Sequence, residues 1–263
     1  MWDPGKYGEF AAERSRPFFD LVDRVGIVPS SVVDLGCGPA TLTSALLERW
    51  PGARVTGVDS SPEMVATARA HAVPDRLDIE LADIRDWRPA HPVDLVVSNA
   101  ALQWVPEHRR LIPSLASFLA PGGVLAFQVP GNFTSPSHVV LDELCASPPW
   151  QDRLDGRNRR KPASAEPQQY LEDLAACGLA AVVWETTYYH VLAGEDPVVE
   201  WLRGTALRPI LEELAPGDAD AFCEELRLRL RRAYPPGPFG TVLPYRRIFA
   251  VARLAPEGAT GGA

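Results

Sequence analysis

The chain has 263 residues, 46% hydrophobic and 23% charged, a globular balance that excludes a disordered or collagen-like polymer. Such a length fits one domain or two. A formal net charge of −8 argues against a dedicated nucleic-acid binder, whose affinity rests on neutralising phosphates.

The opening carries Asp3, Lys6, Glu9, Glu13, Arg14 and Arg16, which leaves no apolar core for a signal peptide. The uncharged stretch 111–141 is broken by Pro113, Pro121, Gly122 and Gly123, so it reads as helix, turn and strand rather than a membrane span. Cys37, Cys145, Cys177 and Cys223 are too far apart for a zinc ligand set or a dense disulfide framework. They read as reduced thiols of a cytoplasmic protein.

From about residue 30 onward, strands alternate with helices. Residues 32–35 form a first strand, 40–50 a helix, 54–58 a second strand, and 61–71 a helix capped by Ser60 or Ser61. Residues 77–81 give a third strand. The apolar run 93–97 is of the kind buried on both faces of a parallel sheet. Residues 107–119 read as one helix stopped by Pro121-Gly122-Gly123, and 124–129 as a fifth strand. Residues 147–169 are a loop whose cluster Arg153, Arg157, Arg159, Arg160 and Lys161 reads as solvated, with a lid over an anionic ligand as the sharper alternative. A short helix at 171–176, a strand at 182–190, a helical insertion over 196–232 and a last strand at 248–253 complete the pattern. Strand-helix alternation of this kind predicts a doubly wound α/β sheet.

Asp34-Leu35-Gly36-Cys37-Gly38-Pro39-Ala40 follows the first strand and opens a helix. Its glycines allow a sharp turn and close approach of a ligand. A dinucleotide fingerprint asks for Gly or Ala where Thr41 stands. Asp34 beside the loop would repel a pyrophosphate and attract an ammonium or sulfonium. A cationic nucleoside therefore suits the loop better than NAD. Asp59, ending the second strand, is placed to accept from ribose hydroxyls. Asp83-Ile84 offers a carboxylate and an apolar surface for an adenine, although Asp83 alone is equally readable as a turn residue. Asn99 to Trp104 follows the fourth strand, at the edge where ligands of open α/β sheets bind.

This set resembles the class I S-adenosylmethionine-dependent methyltransferases over residues 30–130. The flanks extend the likeness. Trp2-Asp3-Pro4, Tyr7, Phe10, Glu13 to Pro17, Asn99 to Trp104, Thr186 to His190 and Leu207-Arg208-Pro209 resemble the trans-aconitate methyltransferase family over residues 1–253. The resemblance implies a Rossmann-like seven-stranded sheet with a helical insertion between the last two strands. It implies a lid at 1–29, a cofactor core at 30–130, a loop, helix and late strand at 131–194, a substrate cap at 195–235, a last strand at 236–253 and a flexible tail at 254–263.

The implied reaction is methylation of one carboxylate of a small tricarboxylate, with S-adenosylmethionine as cofactor and S-adenosylhomocysteine as product. The segment 147–161 and the surroundings of Gly204 and Ala206 depart from the family pattern. A carboxylate is ionised at neutral pH, so no general base and no metal is required. Expected cofactor residues are Tyr7, Arg16, Asp34, Gly36, Cys37, Gly38, Asp59, Ser60, Met64, Asp83, Ile84, Asn99, Ala100 and Trp104, the last as a packed wall. Arg16 is also readable as a surface partner of Asp20. Expected acceptor residues are Gln103, Tyr188, His190, Arg208 and Arg247. Alternation along a strand means that one of Tyr188 and Tyr189, and one of Arg246 and Arg247, faces away. Expected partners are the small acid alone, with no nucleic acid and no membrane, and the chain as a monomer or weak homodimer. Competing readings are methylation of another free or carrier-bound acid, and a non-catalytic cofactor-binding regulator.

Overall fold

The computed structural model describes residues 11–154 and 164–256. Tyr7, most of the arginine-rich cluster (Arg157, Arg159, Arg160, Lys161) and the end of the tail lie outside them. Seven strands, β1 (Ser31–Leu35), β2 (Arg54–Asp59), β3 (Leu77–Leu81), β4 (Val93–Asn99), β5 (Leu119–Pro130), β6 (Leu179–Leu192) and β7 (Thr241–Leu254), form one sheet. Its order is β3-β2-β1-β4-β5-β7-β6. β1 pairs in parallel with β2 and β4, β2 with β3, and β4 with β5. The α/β class and doubly wound sheet are as the alternation implied, and the seven strands as the resemblance implied.

The helices are α1 (Ala11–Val22), α2 (Thr41–Arg49), α3 (Pro62–Ala68), α4 (Ile112–Ala116), α5 (Pro136–Cys145), α6 (Gln151–Leu154), α7 (Pro167–Ala176), α8 (Pro197–Arg203), α9 (Arg208–Leu211) and α10 (Pro216–Ala233). The chain divides into two compact units, and β6 and β7 contribute residues to each.

One unit takes residues 15–129, 164–185 and 248–263. Its core is built by β-strand residues whose apolar runs are covered on both faces, among them Leu35, Val96, Leu125 and Phe127. Tyr170 of α7 packs edge-on against Phe127 with centroids 5.2 Å apart. The other unit takes, of the described residues, 11–14, 130–154 and 186–247. Here Phe222, Leu226 and Leu230, at helical spacing along α10, meet Trp150, Leu144 and Trp201 in a second apolar core.

Several element boundaries differ from the sequence reading. Residues 107–119 are a 3-10 turn, His108–Leu111, followed by the short α4. β5 begins at Leu119, ahead of Pro121-Gly122-Gly123. Those glycines are therefore an irregularity inside a strand rather than a helix stop. Gly122 has φ +78°, and a Cβ on Gly123 would lie 2.8 Å from the Ala120 carbonyl and 3.0 Å from that of Val93. The register of β4 against β5 shifts at the same place, between Val93 and Leu95. The helical insertion between the last two strands is made of α8, α9 and α10, and β7 starts at Thr241 rather than at residue 248. Among the described residues no helix is long and apolar enough to cross a membrane.

Candidate active site

In the sheet-centred unit, β1 runs into a turn where Gly36 (φ +78°), Gly38 (φ +55°) and Ala40 (φ +59°) adopt left-handed backbone. Glycine holds that conformation without the strain a Cβ adds. A Cβ on Gly36 would lie 2.2 Å from Ala101 Cβ, whereas one on Gly38 would meet nothing within 4 Å. The turn is thus packed against the segment after β4 at one glycine and open at the other. Its N–H groups are already committed. Gly36 and Cys37 both donate to the Val58 carbonyl, at 2.7 and 3.1 Å, and Gly38 donates to Asp59 Oδ2 at 2.9 Å. A pyrophosphate cradle needs such donors turned toward the ligand. At Gly38 this turn presents the half-buried Asp59 carboxylate, with Asp34 buried behind it, a charge that suits a cationic ligand better than a dinucleotide.

Asp59 Oδ1 accepts from the Ser61 N–H at 2.9 Å, so one carboxylate ties the glycine turn to the start of α3. Asp59 is only half-buried, and each oxygen keeps further acceptor capacity for a ligand hydroxyl. Ser61, not Ser60, caps α3 by accepting from the Met64 N–H at 3.3 Å. Ser60 is exposed and Met64 half-buried. Ile84 is buried, its Cδ1 3.8 Å from the Cβ position of Gly36, so an apolar side chain flanks the turn as expected. Cys37 is buried too, and burial beside Asp34 and Asp59 raises its thiol well above the usual range, which makes it inert packing.

At the end of β4, Asn99 and Ala100 are half-buried and Ala100 has φ +53°. Gln103 is 6% exposed, and its Nε2 donates to the Ala100 carbonyl at 2.6 Å. A carbonyl can only accept, so the amide orientation is fixed, and Gln103 Oε1 is buried without a hydrogen-bond partner among the described residues. Gln128 of β5, fully buried, donates from Nε2 to Asn99 Oδ1 at 2.9 Å. The sequence reading passed over Gln128. Its one signal there is an amide inside the otherwise apolar run Val124 to Val129.

In the other unit, Tyr188 is buried and Tyr189 is 69% exposed, which resolves the alternation in favour of Tyr188. His190 is buried and stacks on Trp201 with centroids 5.0 Å apart, with Tyr188 and Tyr245 each at 6.1 Å. Arg247 is 6% exposed and lays its guanidinium carbon 4.5 Å over the Tyr245 ring. Tyr188, His190 and Arg247 are therefore brought into one aromatic group, together with Trp201 and Tyr245, neither of which the sequence reading had put forward. Arg246 instead reaches back to the Gly131 carbonyl at 3.4 Å.

Other expected residues stand differently. Asp34 is not at the mouth of the loop; it is 3% exposed and accepts from Thr43 Oγ1 at 2.6 Å. Burial raises its pKa to about 6 against the lowering effect of that bond. Asp83 has both oxygens engaged by the Arg85 guanidinium, at 2.9 and 2.6 Å, which holds its carboxyl below the ordinary range; this is the turn reading. Trp104 is 53% exposed rather than a packed wall, because a 3-10 turn, Leu102–Trp104, carries it outward. Arg16 lies exposed on α1 with Asp20 3.9 Å away, the surface-pair reading. Arg208 is exposed, and its Nε is paired with Glu212 one helical turn on, at 2.8 Å, so it shares its charge with a carboxylate. Among the described residues no group of side chains could hold a metal ion, and none of the four cysteines is bridged.

Comparisons with known proteins agree with this geometry. A methyltransferase-domain family matches residues 32–123, the segment that contains the glycine turn and the ends of β2, β3 and β4. The fold superimposes on the YcgJ protein of Bacillus subtilis with a TM-score of 0.58 at 14% identity, covering 90% of this chain and 97% of that one. Fold and site thus define a class I methyltransferase, an enzyme that uses S-adenosylmethionine and leaves S-adenosylhomocysteine. A trans-aconitate 2-methyltransferase of Streptomyces avermitilis is 55% identical over 95% of this chain and 96% of its own length. One from Streptomyces coelicolor is 50% identical over 98% of this chain and 88% of its own. The chain belongs to the trans-aconitate 2-methyltransferase family.

Proposed function

We propose that the methyl acceptor is trans-aconitate, one carboxylate of which becomes a methyl ester. The observation that carries this is the identity of half or more to trans-aconitate 2-methyltransferases over nearly the whole of this chain. S-adenosylmethionine, when bound, supplies an electrophilic methyl on a sulfonium. Asp59, which accepts from the Gly38 N–H, would hold its nucleoside together with Gly38, Met64 and Ile84; Asp34 sets the charge behind them. Gly36, Cys37, Ser60, Asp83, Asn99, Ala100 and Trp104 complete the cofactor surroundings in this reading, and Arg16 a lesser part of it.

An acceptor carboxylate with a pKa of about 4 arrives ionised, so its attack on the methyl calls for no proton-abstracting base. The protein's task is alignment and exclusion of water, and alignment alone contributes on the order of 7–11 kcal/mol in favourable systems. A polyanion calls for forked, weakly hydrated cations. Arg247, desolvated against Tyr245, is the leading donor, with Tyr188, His190 and Gln103 as further donors and Arg208 available on release from Glu212. The wide spacing of the four cysteines supports a reducing, cytoplasmic setting, and the net charge of −8 supports an enzyme without a nucleic-acid partner.

The test is mass spectrometry of a reaction with methyl-labelled S-adenosylmethionine and a panel of trans-aconitate, cis-aconitate, citrate, isocitrate and a long-chain acid. A labelled monomethyl ester of trans-aconitate in preference to the others is expected. Preferential labelling of another acid, or cofactor binding with no labelled ester at all, overturns the reading.

A further inference from the structure

Gln128 is the one amide in the buried stretch of β5 from Val124 to Val129, with no exposed surface of its own. Burying an amide in an apolar strand is unfavourable unless its hydrogen bonds are met. Here Nε2 donates to Asn99 Oδ1 at 2.9 Å, and the Gln128 carbonyl accepts from the Ala100 N–H at 2.9 Å. Both contacts fall on the two residues where β4 ends and the chain turns through left-handed backbone. The first has a chemical consequence. With Oδ1 of Asn99 committed to Gln128, its Nδ2 is the group left to face a ligand from a half-buried position. An amide NH₂ donates and does not accept.

We infer that Gln128 is a positioning residue: it locks the Asn99 amide with the NH₂ outward, making Asn99 a donor to a carboxylate at the end of β4. The inference rests on reading that strand end as part of the methyl-transfer site. Two carboxylates occur in this chemistry, that of the methyl-accepting acid and that of the cofactor's amino-acid end.

The experiment compares wild type with Gln128→Glu and Gln128→Leu in S-adenosylhomocysteine binding by calorimetry and in trans-aconitate turnover, across the pH range. The carboxylate introduced by Gln128→Glu accepts only, so when ionised it draws the Asn99 NH₂ to itself and turns Oδ1 toward the ligand. The same carboxyl, once protonated, donates as the wild-type amide does. Gln128→Glu therefore loses about tenfold or more in affinity for the carboxylate ligand at high pH and recovers toward wild type as pH falls. Gln128→Leu loses affinity with no such recovery. A rise in the S-adenosylhomocysteine dissociation constant assigns the donor to the cofactor; a rise in KM for trans-aconitate with the dissociation constant unmoved assigns it to the acid. A folded Gln128→Glu that matches wild type in both at every pH overturns the inference.

Side-chain amide proton exchange in the wild-type protein decides the orientation without turnover. Protected Gln128 NH₂ protons with faster-exchanging Asn99 NH₂ protons are expected, and the reverse order overturns the inference even if the variants do not fold. A wild type that binds S-adenosylhomocysteine, shows the expected exchange and leaves trans-aconitate untouched overturns the proposed acceptor alone.

Discussion

Thr43 Oγ1 donates a 2.6 Å hydrogen bond to Asp34 Oδ2, joining the last polar residue of β1 to the first turn of the helix that the glycine loop opens. Both side chains are buried. The carboxylate is thus held behind the glycine turn, with the Thr43 hydroxyl offsetting part of its desolvation, which burial otherwise penalises heavily.

With the cofactor held at the glycine turn as proposed, the pKa of about 6 at Asp34 is expected to make its binding pH-dependent. A cationic sulfonium favours the ionised carboxylate, whereas the neutral thioether of S-adenosylhomocysteine does so less. Affinity for S-adenosylmethionine relative to S-adenosylhomocysteine is therefore expected to fall as pH drops from about 8 to about 5. Calorimetry with both ligands across that range checks it. In Thr43→Val, loss of the lowering hydrogen bond moves the midpoint upward, and in Asp34→Asn the pH dependence disappears.

Asp59→Ala removes the acceptor shared by the Gly38 and Ser61 N–H groups. The glycine turn loses its tie to α3, and any ligand hydroxyl loses a charged acceptor. S-adenosylmethionine affinity should fall at least tenfold, since hydrogen bonds to charged groups contribute about 1.5–3 kcal/mol. Unchanged affinity by calorimetry would show that the nucleoside lies elsewhere.

His108 and Tyr170 form a buried hydrogen bond of 2.7 Å, and the Tyr170 hydroxyl also accepts from the Ala165 N–H at 3.1 Å. Burial lowers the His108 pKa and pushes that of Tyr170 up to about 12. A histidine kept neutral in the fold contributes stability that is present above its ordinary pKa and lost as pH falls through the lowered one. Asp34 acts with the opposite sign: its raised pKa means stability declines as pH rises from about 4 to about 6. Thermal unfolding of Asp34→Asn should therefore show a steeper loss on acidification than wild type. Tyr170→Phe should destabilise by about 1–2 kcal/mol at neutral pH.

Arg247→Ala and Arg208→Ala separate two arginines that the sequence treated alike. Arg247 is desolvated over Tyr245, and its loss should raise KM for the acid by tenfold or more while the S-adenosylhomocysteine dissociation constant stays within about twofold. Arg208 is exposed and shared with Glu212, so its truncation should have a smaller effect. Steady-state kinetics on both variants with trans-aconitate, beside calorimetry, checks the ranking.

Conformations set by near neighbours in the chain are legible without any fold. A short Val-rich strand ending in Asp-Leu, a Gly-Cys-Gly turn and an apolar helical face are each read within about a dozen residues. The strands β1, β2 and β4, the turn at Gly36 and Gly38, and the strand-end residues Asp59 and Asn99 were predicted in that way. Boundaries set by distant backbone were not. β5 starts before Pro121-Gly122-Gly123 because it pairs with β4, which local propensity would read as a break.

Which polar groups meet, and which are already taken, is a property of the folded chain. Gln128 reaches Asn99 across 29 positions because β4 and β5 are neighbours in the sheet. Asp83 and Arg208 are engaged by Arg85 and Glu212, and Trp104 is turned outward. A side chain's residue type is written in the sequence. Its remaining hydrogen-bonding capacity, its desolvation and hence its pKa follow from what the fold packs against it.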